Sequence, residues 1–179
     1  EDTRLAGPEL APDGKQAGVF RTVQDNGDIW LLEVARGIAS RFTFNPSIDT
    51  SPVWSPDGSR IVFRSGRNGR NDLFEKAANG ASDERPLLVT PQDKGALSWS
   101  PDGRFLLYAV QDPKTQSDLW ALPLMGERKP FHVVQTTFDE VQGQFSPDGK
   151  WVAYASNESG RYEIYVRPFA APTTGGSNA

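Results

Sequence analysis

A Pro-Asp-Gly corner is written four times along the chain, as LAPDGKQAGV, WSPDGSRIVF, WSPDGRFLLY and FSPDGKWVAY. Its aspartates, Asp13, Asp57, Asp102 and Asp148, stand 44, 45 and 46 residues apart. A fixed period in the forties marks a repeat architecture. A second series keeps the same phase: GDIWLLEV, NDLFEKA, SDLWALPL and YEIYVRPF place Asp28, Asp72, Asp118 and Glu163 at steps of 44, 46 and 45. Two landmarks in one register rule out a single turn recurring by chance.

Each unit reads as four strands. The first ends at the residue before the corner (Leu10, Trp54, Trp99, Phe145), and the second follows as AGVF, RIVF, FLLYAV or WVAYA. Polar loops with Asn26-Gly27, Asn68-Gly69, Pro113-Lys114 and Ser159-Gly160 lead into the third strand, in keeping with hairpin chemistry. A fourth strand is expected over RFTF, PLLV and FHVV, after Gly37, Gly80 and Gly126. In IVF, LLYAV and DIWLL consecutive residues are apolar, so these strands must be covered on both faces. No stretch repeats apolar positions at helical spacing. An all-β propeller of four-stranded antiparallel blades meets these conditions, because each sheet is sandwiched between two others. The blades are expected over about 1–44, 45–89, 90–135 and 136–170 of a single propeller, with 171–179 as a flexible tail.

Composition narrows the class. The 179 residues are 37% hydrophobic and 23% charged, ordinary for a globular chain. A net charge of -4 argues against nucleic-acid or anionic-membrane binding by charge. No apolar run nears the roughly 18 residues that a spanning helix needs, and no signal peptide precedes Glu1, so direct membrane insertion is not expected. The absence of cysteine removes disulfides, thiolate zinc sites and cysteine nucleophiles.

Trp-Ser-Pro-Asp-Gly followed by a hydrophobic strand and then Asp-Leu-Trp or Glu-Ile-Tyr resembles the WD-like propeller repeat of the TolB type, across all four units. QGQFSPDGKWVAYASNESGRYEIYVRPF, with DIWLLEVARG, is similar to propeller segments C-terminal to bacterial serine/threonine kinases of acidobacterial type. Related blades occur in TolB itself and in prolyl oligopeptidase-type peptidases, so the resemblance implies a fold more than a function. It also implies an extracytoplasmic or periplasmic setting. Propellers of this type usually have six to eight blades. The fourth unit reaches Gly175-Gly176 without a fourth strand, and only four residues precede LAGPEL. The chain is therefore expected to be part of a propeller, or to pair with itself as a homodimer completing an eight-bladed ring.

The search for chemistry is mostly negative. Nucleophile elbows, phosphate-cradling loops and metalloprotease motifs are absent, so no catalytic, cofactor or metal residue is assigned. His132, the one histidine, is read as an outer-strand residue, the Pro-Asp-Gly aspartates as turn chemistry, and the tryptophans as core. Loops opening the blades carry Asp49 in PSIDTSP, Asp93 in PQDKGA, and Asp139 with Glu140 in TFDEVQ. A propeller gathers such loops around its central opening, where ligands bind. These four are the candidate ligand or partner surface, an acidic mouth for a cation, amine or basic peptide. Against this, they could be solvated loop acids meeting Arg67, Arg70, Lys114 and Arg161. The expected function is noncatalytic binding or scaffolding, as a sensory or protein-interaction module with a protein or peptide partner. The alternative is an accessory propeller gating a peptidase.

Overall fold

A computed structural model describes residues 5–172. The corner at Gly175-Gly176 and most of the expected 171–179 tail lie outside the described residues.

The first blade is β1 (Leu5–Leu10), β2 (Gln16–Val23), β3 (Asn26–Glu33) and β4 (Ile38–Arg41). The second is β5 (Asp49–Trp54), β6 (Arg60–Ser65), β7 (Asp72–Ala77) and β8 (Arg85–Leu88). The third is β9 (Lys94–Trp99), β10 (Phe105–Asp112), β11 (Gln116–Pro123) and β12 (Phe131–Val134). The fourth holds β13 (Glu140–Phe145), β14 (Trp151–Ser156) and β15 (Glu163–Pro168). Every sheet is an antiparallel meander in chain order, four-stranded in the first three blades and three-stranded in the last. Innermost strands of successive blades touch, β1 on β5, β5 on β9 and β9 on β13. The result is a four-blade β-propeller that does not close its ring.

The corner chemistry is the same in three blades. Asp57 Oδ1 accepts from Ser59 N at 3.0 Å and from Ser55 Oγ at 2.5 Å, while Ser55 Oγ accepts from Arg60 N at 2.9 Å. Ser100 with Asp102, and Ser146 with Asp148, repeat this set. The glycine that follows has φ near 70° in each corner, a conformation costly for any side chain with a Cβ. In the first blade Ala11 replaces the serine, and only the bond from Lys15 N to Asp13 remains.

Consecutive apolar residues do serve opposite faces. Ile61 and Phe63 join Ile29, Phe42, Trp54 and Phe74 in the core between blades 1 and 2. Val62, between them in sequence, joins Leu73, Trp99, Leu106 and Tyr108 between blades 2 and 3. Leu107 then turns the other way, onto Leu119, Val134, Val152 and Tyr154 between blades 3 and 4.

Four local details differ from the sequence reading. The first blade's outer strand is Ile38–Arg41, not RFTF at 41–44. Phe42 N and Thr43 N both donate to the Ile29 carbonyl, and Thr43 Oγ1 accepts from Ile29 N, so the ladder breaks there while Phe42 turns into the core. In the second blade the strand begins one residue earlier, at Arg85. The first hairpin turns at Gln24 and Asp25, with φ of 50° and 64°, rather than at Asn26-Gly27. Gly27 already lies in β3, where a Cβ would stand 2.5 Å from the Phe20 ring. Trp151 departs from core duty as well. It is 45% exposed on the open side of blade 4.

Candidate functional site

The loops that open each blade share one face with the loops joining second to third strands. Their chemistry is set at the junctions between blades. There the aspartate at the start of a third strand (Asp28, Asp72, Asp118, each within its first three residues) has as its counterpart the residue opening the next blade's first strand (Asp49, Lys94, Glu140). All six are buried.

At the first junction both residues are acids, and each has its own arginine. Asp28 Oδ2 lies 2.8 Å from an Arg41 nitrogen. Arg67 donates to both oxygens of Asp49 at 3.2 Å and to Glu84 at 2.7 Å, with its guanidinium 4.1 Å from the Phe74 ring centre. Burial pushes the Asp49 carboxyl up, against the opposing pull of Ser65, Arg67 and Thr43. At the second junction Lys94 Nζ donates to Asp72 Oδ1 at 2.6 Å and to the Gln92 carbonyl at 2.5 Å, and also reaches the Thr90 and Asn71 carbonyls. Against the opposing effect of burial, the Lys94 ammonium and the Asn68 amide hold Asp72 below its ordinary value. At the third junction Glu140 accepts from Thr136 Oγ1, and Asp118 Oδ2 accepts from Thr115 Oγ1 at 2.7 Å. Burial raises the Glu140 carboxyl, and the charges of Asp118 and Asp139 add to the effect.

The four acids singled out by sequence therefore split into two kinds of position. Asp49 and Glu140 open first strands and are fully buried. Asp93 and Asp139 stand one residue earlier and reach back to the preceding blade. Asp93 Oδ1 accepts from Asn71 N at 2.6 Å, and Asp139 Oδ1 from Ser117 N at 3.2 Å. Asp139 also accepts from the Tyr162 hydroxyl. Asp93 is exposed and lines a cleft of about 420 Å³ between blades 2 and 3, together with Ser51, Arg64, Asn71, Gly95 and Gln111. Of the four candidates it is the one that borders this cleft. Arg64 is exposed and takes part in no ion pair among the described residues. Neither Arg64 nor Lys94 was singled out by sequence. Lys94 had one legible signal, a cation at a position where two sister blades carry acids.

Other groups take structural places. His132 lies on the outer strand β12, its ring 3.6 Å from that of Trp120. Among the described residues, no group of three or more histidines and acids could hold a metal ion, and no helix is long and apolar enough to cross a membrane.

Comparison with known proteins gives this fold a family. The PD40 family, described as the TolB beta propeller domain, matches residues 3–93. An uncharacterized peptidase, YuxL of Bacillus subtilis, is 26% identical over 84% of this chain and 29% of its own length. The Tol-Pal system protein TolB of Wolinella succinogenes is 23% identical over 90% of this chain and 39% of its own. The crystal structure of TolB from Acinetobacter baumannii superposes with a TM-score of 0.81 at 19% identity, covering 93% of this chain and 41% of that one; at this identity the likeness speaks for fold alone. The chain thus spans well under half the length of these relatives. It belongs to the TolB β-propeller domain family.

Proposed function

We propose that the chain is a noncatalytic binding or scaffolding propeller that recognises a protein or peptide on the face carrying the blade-opening loops. The observation that carries this reading is the cleft between blades 2 and 3, where exposed Arg64 and Asp93 set opposite charges beside Ser51 and Gln111. An exposed arginine with no ion-pair partner among the described residues, next to an acid, suits a charged segment better than an apolar small molecule. The test is fluorescence anisotropy with a panel of labelled peptides of varied charge. A peptide that binds the 179-residue chain should lose about tenfold in affinity on Arg64→Ala or Asp93→Asn, the scale of one hydrogen bond to a charged group. Equal affinity in both variants overturns the cleft as the binding face. Asp49, Asp139 and Glu140 act in this reading by holding the rim in place.

Two finer readings rest on resemblance. The likeness of the last 28-residue stretch quoted above to kinase-associated propellers supports a sensory role in an extracytoplasmic or periplasmic setting. The identity with YuxL supports the second reading, a propeller gating a peptidase. In either case this chain by itself is expected to turn over no peptide or ester substrate, and robust hydrolysis lost on changing one of its residues would overturn that.

The open flanks bear on partners. Blade 4 exposes Trp151, Tyr162, Ile164 and Val166, and blade 1 exposes Leu5 and Leu10. We propose that, in the isolated chain, a second copy covers both flanks at once, blade 4 of each meeting blade 1 of the other about a two-fold axis.

A further inference from the structure

The three blade junctions are repeat-equivalent, and their charges can be compared position by position. At the first, Asp28 and Asp49 are matched by Arg41 and Arg67. At the second, Asp72 is matched by Lys94, whose ammonium sits among one carboxylate oxygen and the carbonyls of Asn71, Thr90 and Gln92. At the third, Ser117, Thr136, Phe138 and Glu140 stand where Asn71, Thr90, Gln92 and Lys94 stand. Here the cation has been replaced by a second acid.

The third junction bears the mark of that replacement. Asp118 is 1% exposed and Glu140 0%, and neither forms an ion pair among the described residues. Asp118 Oδ1, Glu140 Oε2 and the Ser117 hydroxyl are buried with no hydrogen-bond partner. Two buried carboxylates, each with an unpaired oxygen, are costly unless something positive lies between them. Arg67, which serves Asp49 in blade 2, is matched by Glu158 at the corresponding loop position of blade 4, so no arginine is supplied from that side.

We propose that a hard divalent cation of the calcium kind binds between blades 3 and 4, held by Asp118, Glu140 and Ser117 in the place that the Lys94 ammonium takes between blades 2 and 3. The donor set is all oxygen, with two carboxylates and neutral hydroxyl or carbonyl groups. That suits calcium, which accepts six to eight oxygen ligands in flexible geometry, and suits neither zinc nor copper, which favour imidazole or thiolate. Magnesium demands a stricter octahedron and binds less well in such a setting. The ion would pin the fourth blade to the third, as Lys94 pins the third to the second.

The test is calorimetric titration of the chelator-treated 179-residue chain with calcium chloride, together with thermal unfolding at matched ionic strength in calcium, magnesium and sodium chloride. One calcium per chain is expected. Tm should rise on the order of 5–10 °C at a hundredfold excess over Kd, with a smaller rise in magnesium and none in sodium. Glu140→Gln should lose at least tenfold in calcium affinity. Glu140→Lys, which rebuilds the second junction's pair, should match the calcium-loaded Tm with no calcium present and bind none. The proposal falls if the parent chain shows no calcium heat and no shift, or if sodium reproduces the shift. It also falls if Glu140→Lys keeps the calcium response, or if chelated stability depends on pH alone while calcium has no effect.

Discussion

At the scale of single residues, the Pro-Asp-Gly corner shows what one side chain contributes. Ser55 is buried and both donates to Asp57 and accepts from Arg60 N. The bond from Ser55, with those from the Ser59 N–H and hydroxyl, holds the Asp57 carboxyl down at about 2. Above about pH 5 it is charged in folded and unfolded chains alike, and its contribution to stability is complete. As the pH falls, the unfolded chain takes up the proton first, and the contribution fades until it is gone below about 2. Asp57→Asn should therefore flatten the acid limb of stability between pH 4 and 2, measured as urea midpoints across that range. Asp57 is exposed, so the loss at pH 7 should be modest, about 1 kcal/mol. The aspartate-glycine pair was plain in the sequence. The serine's second bond, to a residue five further on, was not, because it depends on the folded corner.

At the scale of elements, the junctions decide how strongly neighbouring blades hold one another. Lys94 and Asp72 form a pair whose side chains are both fully buried. Removing one partner of such a pair leaves an uncompensated buried charge. Lys94→Met should cost about 3–5 kcal/mol, read from chemical denaturation, and a loss under 1 kcal/mol would show that the pair is not what ties blade 3 to blade 2. A second element-scale effect lies at Gly143 in β13, where an added Cβ would come 2.7 Å from Leu107 Cδ2 in the core between blades 3 and 4. Gly143→Ala should cost roughly 1–3 kcal/mol as overpacking, with a matching fall in Tm. Strand existence was legible from runs such as IVF and LLYAV. The first outer strand was misplaced because Phe42 and Thr43 look like strand residues, yet are bound back to Ile29 and drawn into the core.

At the scale of the whole molecule, two flanks remain uncovered. Ile164 is 71% and Val166 62% exposed on β15, which among the described residues is the last strand of a three-stranded sheet and so an edge. Light scattering of the isolated chain should give the mass of a dimer, and Ile164→Lys combined with Val166→Lys should return it to a monomer with unchanged strand content. A monomer at millimolar concentration in the parent chain would refute pairing. The period, the number of units and the antiparallel blade were legible from the chain alone, because corner and strand chemistry are local and recur in phase. The role of the four acids was not. Asp49 and Glu140 read as loop acids like Asp93 and Asp139, but a shift of one position separates a side chain buried at the blade junction from one at the rim that accepts a backbone N–H of the preceding blade. That partition depends on tertiary packing, and so does whether a buried acid meets an arginine, a lysine or another acid: the arginines of Asp28 and Asp49 come from neighbouring segments of their own blades, whereas Lys94 reaches Asp72 only because one blade packs on the next.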